Sequence, residues 1–201
     1  MKREQLRTYF IMGSTDASAP LDVLEQALAA GVTLFQFREK QLTGAAYEQF
    51  ARDCQARCKQ YGVPFIVNDD VALAVKLQAD GVHVGQSDMA ATAARALFDG
   101  ILGVSAHNEA EIAKAIADGA DYVGIGPIFA TTSKPDAEVP CGVEKLQAMH
   151  EAFPALPKVA IGGISHANVE AVRATGVDGV AVISAIAGAK DVASAVKAFN
   201  L

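Results

Sequence analysis

No apolar run in this chain approaches the roughly 20 residues that cross a bilayer, and the opening stretch MKREQLRTYFIMGS has too short an apolar segment for a secretory signal. A cytoplasmic protein is expected. Cysteine is scarce: Cys54, Cys58 and Cys141 make an odd number, with one i,i+4 pair and no second pair or histidine cluster to complete a zinc site. Reduced, structural thiols suit a reducing compartment. Positive charge is also in deficit. The 17 Lys and Arg stand against 23 Asp and Glu, and the formal net charge of −6 offers no global attraction to nucleic acid or to an anionic membrane. An anionic ligand must therefore be held by local cations. The P-loop and the G-x-G-x-x-G fingerprint are both missing, GIGPIF approaching the second without completing it. No Pro/Ser-rich linker or shift in composition divides the chain.

What is present is 201 residues, 51% of them apolar, enough for one domain with a substantial core. Short β-branched runs bounded by glycine alternate with stretches of helical period. The runs are YFIMG (9 to 13), VTLFQFR (32 to 38), PFIVND (64 to 69), GVHVG (81 to 85), ILGVS (101 to 105), YVGIG (122 to 126), KVAIGG (158 to 163) and GVAVIS (179 to 184). LDVLEQALAAG, AYEQFARDCQARCKQYG, EAEIAKAIADGA, NVEAVRATGV and VASAVKAFN are amphipathic. This alternation predicts an α/β fold, a single-domain (β/α)8 TIM barrel over 1–201, with a doubly wound open sheet as the competing architecture. A weak internal repeat (AGVTLFQ, ADGVHVG, DGADYVGIG, TGVDGVAV) supports the barrel, each Gly reading as a helix C-terminal cap. One loop, 127–141, lacks periodicity and holds three prolines; a loop that long in a compact barrel reads as a lid over the site.

In a parallel barrel the chemistry sits at the carboxyl ends of the strands. Period-two alternation in VTLFQFREK sends Phe35 and Phe37 toward the helices, Gln36 into the barrel, and Arg38 and Lys40 to the rim as an anion site. The third run ends in Asn68, Asp69 and Asp70, and the fourth leads into GQSD, ending at Asp88. Asp69 and Asp88, on adjacent strand ends beside cations, suit Mg²⁺, which takes one or two carboxylates plus phosphate oxygens and water. Capping of the next helix is the competing reading for Asp70 or Asp88 taken singly. Ser105 has no Ser-His-Asp partner set and reads as a hydrogen-bonding group, and His107 reads as structural. Gly162 and Gly163 end the seventh run, the corner where such barrels bind phosphate.

Taken together and in register, FQFREK, NDD, GVHVGQSD, GVSAH, YVGIGPIFATTSKPDA, IGGI and VAVISAI resemble the thiamine-phosphate synthase family over nearly the whole chain. The resemblance implies a transferase of thiamine biosynthesis with small-molecule substrates and Mg²⁺. It would join 4-amino-5-hydroxymethyl-2-methylpyrimidine diphosphate to a thiazole phosphate, releasing pyrophosphate by a dissociative substitution. Gln36 and Ser105 are then assigned to the pyrimidine, and Arg38, Lys40, Asn68 and Lys134 to its diphosphate. Asp69 and Asp88 are assigned to Mg²⁺, and Thr131, Ser133, Gly163, Ile183 and Ser184 to the thiazole phosphate. Arg38, Lys40, Lys134 and Ser105 form the catalytic set. Two departures stand out: Ala130 to Lys134 replaces the family's usual P-T-x-T-K, and Asp70 stands where a basic or neutral residue is common. A thiazole tautomerase-like isomerase would need a proton-transfer residue, and its relatives tend to show His where this chain has Pro127. A non-catalytic protein that binds thiamine intermediates would tolerate loss of the Mg²⁺ carboxylates, which this chain keeps. Homo-oligomerisation is left open, because apolar helix faces pack a barrel as well as a dimer.

Overall fold

The computed structural model describes residues 1–133 and 138–200. Eight parallel strands close into a barrel in sequence order. They are β1 (Thr8–Met12), β2 (Leu34–Phe37), β3 (Phe65–Asn68), β4 (Gly81–Val84), β5 (Ile101–Ala106), β6 (Tyr122–Ile125), β7 (Lys158–Ile161) and β8 (Gly179–Val182). The helices are α1 (Pro20–Ala29), α2 (Gly44–Tyr61), α3 (Val71–Leu77), α4 (Ala91–Leu97), α5 (Glu109–Ala117), α6 (Gly142–Ala152), α7 (Val169–Arg173), α8 (Ser184–Ala187) and α9 (Val192–Phe199). The open-sheet alternative fails because β1 pairs with β8, Thr8 opposite Val180, which leaves no sheet edge. None of the described helices is long and apolar enough to cross a membrane.

Alternation along each strand sorts the side chains into two apolar layers. Phe10, Phe35, Phe37 and Phe65 face the helices, with ring centroids 5.8 Å apart for Phe10 and Phe35 and 6.2 Å for Phe35 and Phe65. On α2, Ala51, Cys54 and Cys58 recur at helical spacing and are buried against this layer. Burial pushes the Cys54 thiol up to about 12, so it stays an inert, unpaired packing group, as its sequence context predicts. Leu34, Ile66, Val159 and Ala181 fill the barrel interior with Tyr9 and Tyr122.

The four-fold sequence repeat has a physical basis that differs from its first reading. Its copies precede only the even strands, and in each a side-chain oxygen takes a backbone N–H at the start of the strand before, from the first residue of β1, β3 and β7 and the second of β5. Thr8 N donates to Thr33 Oγ1 at 2.9 Å and Phe65 N to Asp80 Oδ2 at 2.9 Å. Leu102 N donates to Asp121 Oδ2 and Lys158 N to Asp178 Oδ2, both at 2.8 Å. The repeat therefore ties strands together in odd-even pairs at the amino-terminal end of the barrel. Gly81 is correspondingly not a helix cap: Gln78 ends α3 in the left-handed region, and Gly81 lies on β4, where a Cβ would meet Ile66 Cδ1 at 2.4 Å.

At the carboxyl-terminal end the connections stay open. The 127–141 segment leaves β6 on a fixed base, where Ile128 N donates to Ile161 O at 2.9 Å and Phe129 N to Gly162 O at 3.0 Å. It returns beside its own start, Cys141 N donating to Pro127 O at 2.9 Å before α6 begins.

Candidate active site

A cavity of about 790 Å³ opens at the carboxyl ends of the strands. The β2 segment contributes three of its walls' polar groups. Gln36 is buried and points inward, its amide nitrogen donating to the Tyr9 hydroxyl at 2.7 Å. Arg38 is held in the line of β2 by its backbone N–H, which donates to Met12 O at 3.0 Å. Lys40 follows at the rim, with Nζ 2.9 Å from Asp69 Oδ2. Glu39, between the two cations, turns the other way. Its carboxylate accepts from Ser14 N at 2.7 Å, Gln41 N at 2.6 Å and Leu42 N at 3.0 Å. Partial burial works upward on this carboxyl, but those hydrogen bonds outweigh it and hold it down to about 2. Glu39 thus stays an anion across the working range and fixes the turn that presents Arg38 and Lys40.

The two aspartates reach the site by different local devices. Asp69 adopts φ +63°, a left-handed backbone that costs a non-glycine residue about 1 kcal/mol or more. Its N–H donates to His83 O at 2.8 Å, and the next residue, Asp70, caps α3 by accepting from Leu73 N at 2.8 Å. The capping reading therefore holds for Asp70 and leaves Asp69 free to face the cavity. It does not hold for Asp88, since α4 begins after Ala90 and the Asp88 carboxylate instead accepts from Gly85 N at 2.9 Å. Partial burial and then the neighbouring Asp69 carboxylate push the Asp88 carboxyl up. Two carboxylates this close repel each other, and a divalent cation between them relieves the repulsion. Among the described residues no cluster of three or more His, Cys, Asp or Glu forms a self-sufficient metal cage. The pair fits a cation that completes its shell with phosphate oxygens and water.

Asn68 ends β3 on the same wall, and Ser105 stands on β5 with its hydroxyl 3.0 Å from His83 Nε2. His107 also borders the cavity and is braced, Nδ1 lying 2.9 Å from Glu111 Oε2. Across the opening, Thr131, Ser133, Gly163, Ile183 and Ser184 line the opposite side. Thr131 Oγ1 accepts from Ser133 N at 3.2 Å, giving this part of the loop local order. Gly163 has φ +64°, and a Cβ on it would lie 2.4 Å from Ala130 O. The glycine pair is thus needed for the loop base to sit on β7, a role additional to the close ligand approach expected of it. Lys134 lies outside the described residues. Every other residue that the sequence assigned to a substrate or to Mg²⁺ borders this one cavity, whereas Asp70 does not.

Sequence reasoning passed over four residues. Glu39 is hidden between two cations that draw attention. Tyr9, His83 and Tyr122 form buried polar contacts inside the barrel. Their signal was available: applied to TYFIM, GVHV and YVGI, the alternation that turned Gln36 inward turns all three inward too.

Comparison with known proteins agrees with the geometry. A thiamine-phosphate synthase of Lysinibacillus sphaericus is 57% identical over 206 residues, covering 100% of this chain and 97% of the relative. One from Geobacillus kaustophilus is 55% identical, covering 93% of this chain and 87% of the relative. The solved thiamine phosphate pyrophosphorylase from Pyrococcus furiosus superposes with a TM-score of 0.89 at 34% identity, over 98% of this chain and 95% of that one. The family model described as thiamine monophosphate synthase matches residues 8–186, and the chain belongs to that enzyme family.

Proposed function

We propose that the chain condenses 4-amino-5-hydroxymethyl-2-methylpyrimidine diphosphate with 4-methyl-5-(2-phosphooxyethyl)thiazole, giving thiamine phosphate and pyrophosphate. The observation that carries this reading is the division of the cavity. Cations and paired carboxylates (Arg38, Lys40, Asp69, Asp88) crowd one wall, while Thr131, Ser133, Gly163 and Ser184 offer hydroxyls and backbone on the other. One polar wall suits a diphosphate and the other a monoester.

Gln36 and Ser105 hold the pyrimidine ring. Arg38, Lys40, Asn68 and Lys134 hold its diphosphate, with charge-assisted hydrogen bonds that strengthen as negative charge gathers on the departing group. The exocyclic carbon loses pyrophosphate as a developing cation that the electron-rich aminopyrimidine delocalises, and the thiazole nitrogen attacks with its lone pair. No proton need be removed before attack, which is why the site shows cations and carboxylates rather than a nucleophile and base. Asp69 and Asp88 would hold Mg²⁺, which supplies charge neutralisation for the leaving diphosphate when bound. Ile183 packs beside Ser184 against the thiazole phosphate. The 127–141 segment acts as a lid, excluding the water that would capture the cation as a free alcohol. Pro127 on the cavity wall offers no group for the proton transfer that a tautomerase requires.

The test is pyrophosphate release by the purified protein with Mg²⁺, comparing the pyrimidine diphosphate alone with the pyrimidine diphosphate plus thiazole phosphate, the product being identified by mass. Thiazole-dependent release coupled to thiamine phosphate is expected. A folded, metal-supplied protein that releases nothing refutes the reading.

A further inference from the structure

At the cavity floor a row of polar side chains crosses the barrel from β2 to β5, with Tyr9, Gln36, His83 and Ser105 bordering the cavity and Tyr122 behind them. Gln36 Nε2 donates to the Tyr9 hydroxyl at 2.7 Å, and the Tyr9 and Tyr122 hydroxyls lie 2.8 Å apart. The Tyr122 hydroxyl is 3.0 Å from His83 Nδ1, and His83 Nε2 is 3.0 Å from Ser105 Oγ. Both tyrosines and the histidine are buried. Gly103 leaves the space where Tyr122 meets His83, since a Cβ there would lie 2.4 Å from both His83 Nδ1 and the Tyr122 hydroxyl. Each nitrogen of the His83 ring faces a hydroxyl and neither faces a carboxylate, the setting of a neutral imidazole.

A neutral imidazole donates from one nitrogen and accepts at the other, so such a row has two proton orders. The two orders give its ends opposite character. With the Gln36 amide nitrogen on Tyr9, the order that leaves neither tyrosine proton unpaired runs one way: Tyr9 donates to Tyr122, Tyr122 to His83 Nδ1, and His83 Nε2–H to Ser105 Oγ. Gln36 Oε1 is left as an acceptor toward the cavity, and the Ser105 hydroxyl proton as a donor.

We propose that this buried row, with Tyr9, Tyr122 and His83 as positioning residues, makes the site select an amino-substituted pyrimidine over its oxo counterpart. The inference rests on the pyrimidine reading given above. An amino group beside a ring nitrogen presents a donor and an acceptor, matching Gln36 Oε1 and the Ser105 hydroxyl. A 4-oxo ring presents a carbonyl and a ring N–H, the reverse pattern, and would set oxygen against oxygen at Gln36. A buried site built for one hydrogen-bond pattern rejects the mismatched ligand strongly, because its own polar groups are then left unpaired.

The experiment measures pyrophosphate release from the 4-amino pyrimidine diphosphate and from its 4-oxo counterpart, each with thiazole phosphate, in the wild-type and Tyr122→Phe proteins. Tyr122 does not border the cavity. The substitution keeps the ring and removes only the hydroxyl that fixes the His83 tautomer. The wild-type kcat/KM ratio is expected to be about 10³ or more in favour of the amino compound. In Tyr122→Phe the imidazole is free to place its proton on Nδ1, Ser105 can then turn its hydroxyl toward the ring, and the ratio falls at least ~10-fold. An unchanged ratio, with both substrates losing rate equally, overturns the proposal and leaves Tyr122 a packing residue. A second readout needs neither variant nor turnover: the ¹⁵N resonances of His83 in the full chain should show a proton on Nε2, and a proton on Nδ1 overturns the proton order. If the wild type gives no thiazole-dependent release, the reaction itself is refuted and the substrate selection with it, whereas an active wild type with an unselective site refutes only the selection.

Discussion

Gly163→Ala tests how the loop base is attached to β7. The new methyl would sit 2.4 Å from Ala130 O and 2.8 Å from Phe129 Cβ, on a backbone with φ +64°. Holding alanine in that left-handed conformation costs about 1–2 kcal/mol, and forcing a methyl into filled space costs about 1–3 more. If the fold absorbed the whole of it, roughly 2–5 kcal/mol would be lost, a melting temperature lower by about 4–20 °C in a domain of this size. Part of that cost is avoidable, because the Ala130 carbonyl can move outward and carry Thr131 with it. The expected result is therefore a drop of about 4–10 °C with a KM for thiazole phosphate raised ~10-fold or more, while KM for the pyrimidine diphosphate stays within about threefold. Thermal scanning and steady-state kinetics on the same preparation measure both. A variant with wild-type melting temperature and wild-type KM values would show that the loop base does not depend on this contact.

Asp121→Ala removes the acceptor of Leu102 N at 2.8 Å and of Arg95 Nη2 at 2.6 Å, both far from the cavity. It should destabilise by about 1–3 kcal/mol in denaturant titration with kcat unchanged, and a catalytic defect without a stability loss would contradict the strand-pairing account. Asp69→Asn and Asp88→Asn should each lower pyrophosphate release by ~10²-fold and raise the Mg²⁺ concentration needed, without lowering metal-free stability, since each relieves carboxylate repulsion. Wild-type Mg²⁺ dependence in both would remove the pair from metal binding. Lys134→Ala should cut kcat by ~10² or more with a smaller effect on thiazole phosphate affinity, and an unchanged kcat would take Lys134 out of the mechanism. His83 is neutral in the fold, its pKa pushed down by burial to about 4 against about 6.5 when unfolded, so the unfolded chain binds the extra proton first on acidification. Stability from this group is full above about pH 6.5 and falls by roughly 3 kcal/mol as pH approaches 4, a slope that unfolding titrations of His83→Gln should lack.

Much of this protein is legible in its sequence. Six of the eight strands fall within the runs marked by β-branched residues and glycine, and β1 and β5 overrun theirs by one residue each, because a strand buried on both faces must be apolar along its length. Period-two alternation then placed Gln36 inward and Phe35 and Phe37 outward, and knowing which strand end carries chemistry placed Asp69, Asp88 and Ser105 at the site. Those inferences are local, and a local rule can be read from a string of residues. The barrel was the expected architecture, but periodicity alone did not exclude an open sheet, because closure depends on β1 meeting β8 across the full length of the chain. The difference between Asp70 and Asp88, each a candidate helix cap, was not legible: only the backbone path showed α4 starting three residues beyond Asp88, at Ala91. The repeat was visible, but its work as a set of odd-even strand ties needed the distances from Asp80, Asp121 and Asp178 to the preceding strands. The buried row from Gln36 to Ser105 needed them most of all. Tyr9, His83 and Tyr122 lie on separate strands, and only closure of the sheet brings their polar atoms to hydrogen-bonding distance where water cannot compete.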